Sequence, residues 1–242
     1  MELIILASGK GSRLKGFNKK PKCFTKVFDK TLIDHLSKNF KNFNKIFLVV
    51  GYKSFLFNKK KYKNVKIIKN KEYRFTNMVQ SLYCVRNYIK EDVVISYSDI
   101  LFDSEIMDRL IAKKKSSLAL KSNWLLTWKK RMSRKKIILD AENIEFSKNK
   151  ILSIGGKIVS LPKAQYMGLI KLKKKDYSLS MNFYKKLNNT KIDMTTFLNL
   201  LIKNKIIDLG YFLTKKFWYE IDTPKDLSSL KKLRVNSLKD LL

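Results

Sequence analysis

An α/β fold, with a mostly parallel sheet covered by helices on both faces and a small antiparallel β elaboration, is predicted by three features of this sequence. Over residues 1–120, apolar runs of strand length alternate with stretches carrying apolar residues at helical spacing. That alternation implies right-handed crossovers and parallel pairing. A glycine loop follows the first apolar run directly and Asp99 closes a later one, so both fall at carboxyl ends of strands, where such sheets bind ligands. Beyond about Lys121 the runs shorten and turn signals intervene (Asn149-Lys150, Gly155-Gly156), which marks the antiparallel part.

The elements are expected in this order. A strand over 2–7 leads into the loop, and a helix over 32–43 comes next. The run "KIFLVVGY" at 45–52 reads as a buried strand ended by Gly51, and 65–69 as a short one. Residues 76–89 read as a helix with Thr76 or Asn77 as N-cap, 92–100 as a strand, 104–113 as a helix and 117–120 as a strand. Antiparallel β segments are expected at 137–146, 151–155 and 165–172, then helices at 178–187 and 194–204. Strands at 206–213 and 217–221 precede a last helix, which begins after Thr223-Pro224, a good N-cap and first-turn pair. No linker rich in Gly, Pro or Ser and no internal repeat divides the 242 residues, so one domain is expected.

Composition narrows the functional classes. A hydrophobic content of 45% argues against disorder, and no apolar stretch approaches the roughly 18–20 residues that span a bilayer. The N-terminal strand runs straight into the loop without a charged leader, so a soluble cytoplasmic protein is expected, with no membrane partner. Cys23 and Cys84 have neither metal nor disulfide spacing, which suits a reducing compartment. A net charge of +33 raises nucleic-acid binding, but the lysines are spread along the chain rather than gathered in one arm. The abundance of Asn, Ile, Phe and Tyr beside Lys fits an AT-rich genome, and no specific nucleic-acid partner is expected. Nothing in the sequence specifies an oligomeric state. His35, the single histidine, is read as structural or surface, and it leaves Ser and Cys nucleophiles without a base.

The loop "LASGKGSRLKGFNKKPKC", residues 6–23, carries the most specific chemistry. Backbone N–H groups from Ser8, Gly9, Gly11 and Ser12 can approach an anion closely, and Arg13 and Lys22 add charge-assisted contacts to phosphate oxygens. It is not a Walker loop, which needs Gly-Lys-Ser/Thr opening a helix. Nor is it the dinucleotide G-x-G-x-x-G, because Leu14 stands at the last position. The other reading is a flexible turn in a lysine-rich chain, with Lys10, Lys15, Lys19 and Lys20 as background.

The string "LASGKGSRL…KPK" resembles the L-A-x-G-x-G-[ST]-R-L…P-K signature of nucleotidyltransferases that activate phosphorylated sugars and small phosphorylated alcohols. "YSDI" at 97–100 resembles that family's strand-end aspartate, and "WYEIDTPKDL" at 218–227 its W-x-D-[IV]-[DG]-T-P-x-D-L segment. The resemblance implies a Rossmann-like, three-layer, nucleotide-diphospho-sugar transferase-like fold. Its nucleotide-binding half would span 1–120, its acceptor-binding half 121–222 and a C-terminal helix 223–242. It also implies a reaction in which an acceptor's phosphoryl or phosphonyl oxygen attacks the α-phosphorus of a nucleoside triphosphate and pyrophosphate leaves. Such transfers depend on positioning and charge neutralisation. In that scheme Leu6, Ala7, Ser8, Gly9, Gly11 and Ser12 hold the triphosphate with Ser98. Arg13 contacts the leaving pyrophosphate, Lys22 bridges acceptor and α-phosphate, and Asp99 and Asp222 hold Mg²⁺ with Glu220 behind them. For Asp222 the plain alternative is a helix-cap neighbour, and for Asp99 a turn residue.

Two departures refine the resemblance. Ser98-Asp99 stands where sugar-1-phosphate enzymes usually carry Gly-Asp. "EYRFTNMVQSL" at 72–82 is similar to a helix of cytidylyltransferases acting on phosphocholine and related phosphonates, which places Asn77 and Ser81 near base and ribose. Gln80 is an alternative base reader, and an N-cap and a plain polar face are the alternatives for Asn77 and Ser81. "NWLLTWKKR" at 123–131 and the segment after it resemble small cytidylyltransferases that include enzymes of 2-aminoethylphosphonate and phosphoglutamine. Trp124 and Trp128 would wall an ammonium or amino-acid group, and Arg131 would hold a phosphate or carboxylate. Glu142 and Asp140 would pair with an amine, and Tyr166 would line the same pocket; core packing and solvated charge are the alternatives. The function expected is Mg²⁺-dependent transfer of CMP from CTP to a small phosphorylated or phosphonate amino compound, serving cell-surface polysaccharide or lipid decoration. A sugar-1-phosphate uridylyl- or thymidylyltransferase is the second reading, and a basic nucleic-acid-binding protein the third.

Overall fold

A computed structural model describes residues 1–14, 20–58, 64–158 and 160–232. Strand β1 (Glu2–Ala7) is buried at every position, and its side chains alternate between two cores. Leu3, Ile5 and Ala7 face one way, and Ile4 and Leu6 the other. After the loop come a 3₁₀ turn at Lys22–Phe24, a small hairpin β2 (Lys26–Val27) and β3 (Lys30–Thr31), and helix α1 (Leu32–Ser37). Thr31 and Asp34 close a capping box on α1. The chain continues through β4 (Lys45–Val50), β5 (Val65–Lys69), α2 (Met78–Tyr83), β6 (Val93–Tyr97), β7 (Ile100–Phe102), α3 (Ser104–Ile111) and β8 (Ser117–Lys121). Next are helices α4 (Trp124–Arg131) and α5 (Arg134–Asp140), strands β9 (Glu142–Ser147), β10 (Lys150–Lys157) and β11 (Gln165–Leu172), and helices α6 (Lys174–Leu187) and α7 (Met194–Lys203). Strands β12 (Gly210–Thr214) and β13 (Trp218–Glu220) lead to α8 (Pro224–Lys232).

Seven strands form the main sheet in the order β12-β8-β11-β6-β1-β4-β5. All its pairings are parallel except those of β11, which runs against both β6 and β8. The side chains of α2, α6, α7, β9 and β10 pack on one face, and those of α1, α3, α4 and α5 on the other, which gives three layers. A third, smaller core of Leu14, Val27, Leu32, Leu101, Tyr219, Ile221, Leu227 and Leu230 ties the opening loop to β13 and α8. The elaboration is the β9–β10 pair, antiparallel and bulged.

Several expected boundaries move. Residues 137–146 are not one β segment: α5 occupies the first part, capped by the Ser133 side chain accepting from the Lys136 N–H at 3.4 Å, and β9 begins only at Glu142. The triplet Ile137-Ile138-Leu139 imitates a strand, yet only Ile137 is buried; Ile138 and Leu139 are 48% and 74% exposed. The helix expected over 76–89 stops at Tyr83 and tightens into i→i+3 turns, with Val85 donating to Leu82 O and Tyr88 to Val85 O. The one expected over 32–43 breaks after Ser37 and resumes as a 3₁₀ turn at Phe40–Asn42. Helix α6 begins at Lys174, four residues early, and β12 begins at Gly210 rather than 206. Of the C-terminal helix expected over 223–242, residues 233–242 lie outside the described residues, as do Lys15 and Lys19 of the loop.

Candidate active site

Because β1 and β6 run parallel and adjacent, their carboxyl ends bring the opening loop beside Ser98 and Asp99. A cavity of about 180 Å³ opens there, lined by Leu6, Ala7, Ser8, Gly9 and Gly11 of the loop, by Lys22, and by Asn77, Ser81, Ser98 and Asp99. The loop is held from behind. Ser81 Oγ donates to Ser8 Oγ at 3.0 Å, Ser8 Oγ donates to Val49 O at 3.3 Å, and Asn70 Nδ2 donates to Ser81 Oγ at 3.1 Å. Gly11 adopts φ +66°, and a Cβ there would meet Lys22 Cβ at 2.9 Å, so glycine lets the loop fold over the Lys22 stem. Asn77 both lines the cavity and caps α2, its Oδ1 accepting from the Met78 N–H at 2.8 Å. Serving as the cap therefore does not take Asn77 away from the cavity wall.

Two predicted nucleotide contacts do not reach this cavity. Gln80 points elsewhere, its Oε1 accepting from Tyr184 O–H at 2.9 Å, and Ser12 is not among the lining residues. Asn70, Tyr73 and Thr76 line it without having been expected. Asn70 is 2% exposed; its amide also donates to Thr76 Oγ1 at 3.1 Å and its Oδ1 accepts from the Glu72 N–H at 3.0 Å, so it shapes the turn before α2. An Asn-x-Glu turn just after a strand is the signal that marks it.

The charged centre lies at the seam between this cavity and a second. Lys22 Nζ donates to Asp99 Oδ2 and to Asp222 Oδ1, each at 2.5 Å, although 200 residues separate the two ends of the second contact. Arg13 reaches Asp222 Oδ1 at 3.1 Å. Burial disfavours the charge on Lys22, but the two carboxylates outweigh it and raise its pKa. Burial likewise works against the Asp222 carboxylate, and the nearby Lys22, Arg13 and Arg131 charges bring it below its ordinary value. Glu220 goes the other way: burial, with Asp222 and Asp99 adding to it, pushes its carboxyl up to about 7 against the opposing pull of Arg131.

The turn into α8 aims Asp222. Thr223 and Asp226 close a capping box at the start of that helix, and Asp226 Oδ2 accepts from the N–H groups of Asp222 and Thr223 at 3.0 and 2.7 Å. Thr223, not Asp222, is the cap, which leaves the Asp222 side chain free to face Lys22. A divalent cation fits this donor set. Asp99 Oδ1 is buried without a hydrogen-bond partner, and both carboxylates are hard oxygen donors. Among the described residues no cluster of three or more His, Cys, Asp or Glu forms a metal cage, so phosphate oxygens and water would complete the shell.

The second cavity, about 270 Å³, is lined by Arg13, Trp128, Arg131, Glu142, Tyr166, Glu220 and Asp222, and by Asp140, Asp193 and Thr195. Tyr97 and Met78 line both cavities and so form their common wall. Trp124 is absent from it: its indole N–H donates to Pro162 O at 3.0 Å, its ring meets Trp128 edge-on, and it is core. Arg131 borders the cavity, but its donors are engaged. Nε binds Asp226 Oδ1 at 2.8 Å, and the terminal nitrogens face Glu220 at 3.1 Å and Asp222 at 3.7 Å. It positions the carboxylates of the seam rather than standing open to an acceptor. Asp193 and Thr195, at the start of α7, were not among the expected residues.

Comparisons with known proteins identify the family and the fold. Residues 3–127 match the family model described as a MobA-like NTP transferase domain. The chain is 31% identical to a CTP:phosphoglutamine cytidylyltransferase of Campylobacter jejuni subsp. jejuni serotype O:2, across 94% of this chain and 98% of that protein. It is 35% identical over 107 residues to a choline-phosphate cytidylyltransferase of Streptococcus pneumoniae, covering 42% of this chain and 46% of that one. Among solved structures, the inositol-1-phosphate CTP transferase from T. maritima superposes with a TM-score of 0.73 at 21% identity, covering 96% of each chain. CTP:phosphocholine cytidylyltransferase from Streptococcus pneumoniae superposes equally well, at 20% identity over 96% of this chain and 98% of that one. These structural likenesses bear out the mostly parallel, three-layer fold.

Proposed function

The chain belongs to the family of MobA-like NTP transferase domains and is an enzyme of the nucleotidyltransferase type, and from that premise we propose that it transfers CMP from CTP to a small phosphorylated amino compound. Pyrophosphate is the other product. The observation that carries the reading is the seam at which Lys22 touches Asp99 and Asp222 between two adjoining cavities, one beneath the glycine loop and one opposite it. The loop cavity takes the nucleotide and the cavity around Glu142 takes the acceptor. In this reading an acceptor phosphate oxygen attacks the α-phosphorus from the side of the second cavity, and pyrophosphate departs on the opposite side.

Backbone N–H groups of Ser8, Gly9 and Gly11 bind the phosphates, and Arg13, which lines the second cavity beside Asp222 and is 63% exposed, swings across the seam to the leaving group. Lys22 exchanges its carboxylate contacts for phosphate oxygens as substrates enter, neutralising charge on the attacking and transferred groups. Asp99 and Asp222 would hold Mg²⁺, which when bound neutralises phosphate charge at the reacting centre. A phosphoglutamine-type acceptor is supported by the Campylobacter jejuni relative, whose similarity extends through the acceptor half.

The test offers each of the four triphosphates with Mg²⁺ and a panel of phosphoglutamine, 2-aminoethylphosphonate, phosphocholine and glucose-1-phosphate, and measures pyrophosphate. CTP with an amino acceptor is expected to be the productive pair. Turnover of UTP or dTTP with the hexose phosphate, and none with CTP, would sink the proposal. Asp99→Asn and Asp222→Asn are each expected to lower kcat by about 10³-fold or more, measured on protein that a melting curve shows to be folded at the assay temperature. A near-normal rate in either removes that residue from the reacting centre.

A further inference from the structure

Two acidic side chains in the second cavity lack a countercharge, although the chain carries 53 Lys and Arg residues. Glu142 Oε1 and Asp193 Oδ1 both face Thr195 Oγ1, at 2.6 and 3.0 Å. A hydroxyl has one hydrogen and can serve only one of them. Neither carboxylate has an ion-pair partner among the described residues. Asp193 is otherwise held by its own helix, accepting from the Thr196 N–H at 2.8 Å and from Thr196 Oγ1 at 2.7 Å. Glu142 is fixed through its backbone, which exchanges two hydrogen bonds with the Gln165 amide at 2.8 and 3.3 Å, so its side chain is held over the cavity. This part of the cavity wall, away from Arg13 and Arg131 and their partners Glu220 and Asp222, therefore carries two carboxylates without a cation of their own.

An independent feature lies on the same cavity wall. Trp128 is 5% exposed, and its indole N–H has no hydrogen-bond partner. A buried donor left unpaired is costly, and because Trp128 lines this cavity a ligand's carbonyl or carboxylate oxygen would satisfy it. The rest of the ring is engaged, with the Arg131 guanidinium over it at 5.9 Å and Trp124 meeting it edge-on at 5.1 Å. The ring is left with a hydrogen-bond donor to offer rather than an open aromatic face for a quaternary ammonium.

We propose that this cavity selects an acceptor with a free amino-acid head: an N–H-bearing ammonium seated between Glu142 and Asp193 beside Thr195, and a carboxylate or amide oxygen received by Trp128 Nε1. Glu142, Asp193, Thr195 and Trp128 are then the residues that set acceptor specificity. The proposal deepens the acceptor half of the cytidylyltransferase reading and rests on it. A primary ammonium donates hydrogen bonds to both carboxylates, whereas a quaternary one cannot. A site with buried polar groups rejects analogues that leave them unpaired.

The test separates the two ends of the head. Pyrophosphate release is measured with phosphoglutamine, N-acetylated phosphoglutamine (ammonium blocked) and 2-aminoethylphosphonate (ammonium but no carboxylate). Wild type is expected to favour the free amine over the acetylated acceptor by about tenfold or more in KM. Glu142→Gln should collapse that ratio toward one. Trp128→Phe keeps an aromatic ring but loses the N–H, and should raise the KM ratio of phosphoglutamine to 2-aminoethylphosphonate about tenfold. Unchanged ratios in either variant overturn the assignment. Calorimetry of the same acceptors, with the protein holding a non-hydrolysable CTP analogue, reads the pocket without turnover. No pyrophosphate from any acceptor would count against the transfer reaction alone. Loss of the calorimetric preference for the free amine would count against the pocket alone.

Discussion

Tyr97 separates the two cavities, and a single glycine makes room for it. Gly168 sits at the bulge in β11 with φ +75°, and a Cβ built there would lie 2.9 Å from the Tyr97 ring. The ring in turn meets Tyr166 edge-on at 5.8 Å, so a push on Tyr97 passes to the acceptor wall. Gly168→Ala combines left-handed backbone strain with that clash, and should cost about 1–3 kcal/mol of stability. It should also raise KM for CTP and acceptor together, because one ring lines both cavities. Thermal melts and the two KM values check this, and a variant with wild-type values of all three would show that the wall is not held this way. Residue by residue, the loop was legible in the sequence and its supports were not. Ser8, Gly9, Gly11 and Arg13 lie within six positions of one another, so their pattern survives in a line of text. Ser81 supports Ser8 from 73 residues away and is itself held by Asn70, and only the fold records that.

At the level of elements, α4 and α8 are joined through one buried ion pair that also aims the seam. Asp226 and Arg131 are 2% and 3% exposed, and Asp226 spends its other oxygen on the turn that carries Asp222. Breaking a buried pair leaves a charge without compensation, so Asp226→Asn should destabilise by about 3 kcal/mol. For a chain of this length that lowers the melting temperature by roughly 6–12 °C. Because the turn loosens, kcat should fall with it even in protein that stays folded well below its melting point. An unaltered melting temperature would mean that Glu220 and Asp222 suffice to hold Arg131. This dual duty also shows why Arg131 misled: at the end of "WKKR" it resembles an open phosphate grip, and its three acidic partners come from a segment 89 to 95 residues later. Helix α5 misled for a different reason. Its exposed Ile138 and Leu139 supply the apolar run of a buried strand without being buried.

Across the whole molecule, the strand–helix alternation was readable because burial is uniform along the central strands. β1 and β11 occupy the expected residues, whereas β12 and α2 are shortened where a turn intervenes. The surplus of lysine was harder to sort, since position in the chain does not separate solvated lysines from structural ones. Lys121, at the end of β8, is structural: 3% exposed, it donates through Nζ to Lys215 O at 2.8 Å and to Lys216 O, closing the β12–β13 connection over the sheet edge. Burial lowers its ammonium from 10.5 to about 8. The sign of the resulting linkage comes from proton counting. Below pH 8 both states carry the proton, and the folded state bears the full cost of the buried charge. Between pH 8 and 10.5 the unfolded chain still binds the proton and the folded chain does not, so stability rises with pH across that window. Measured as the difference between wild type and Lys121→Met in urea melts, the gain should be on the order of 2–3 kcal/mol from pH 8 to 10.5, and flat below pH 7. A difference that instead falls across the window would mean that the two carbonyl contacts stabilise the ammonium by more than burial costs it, and that Lys121 keeps its proton in the fold.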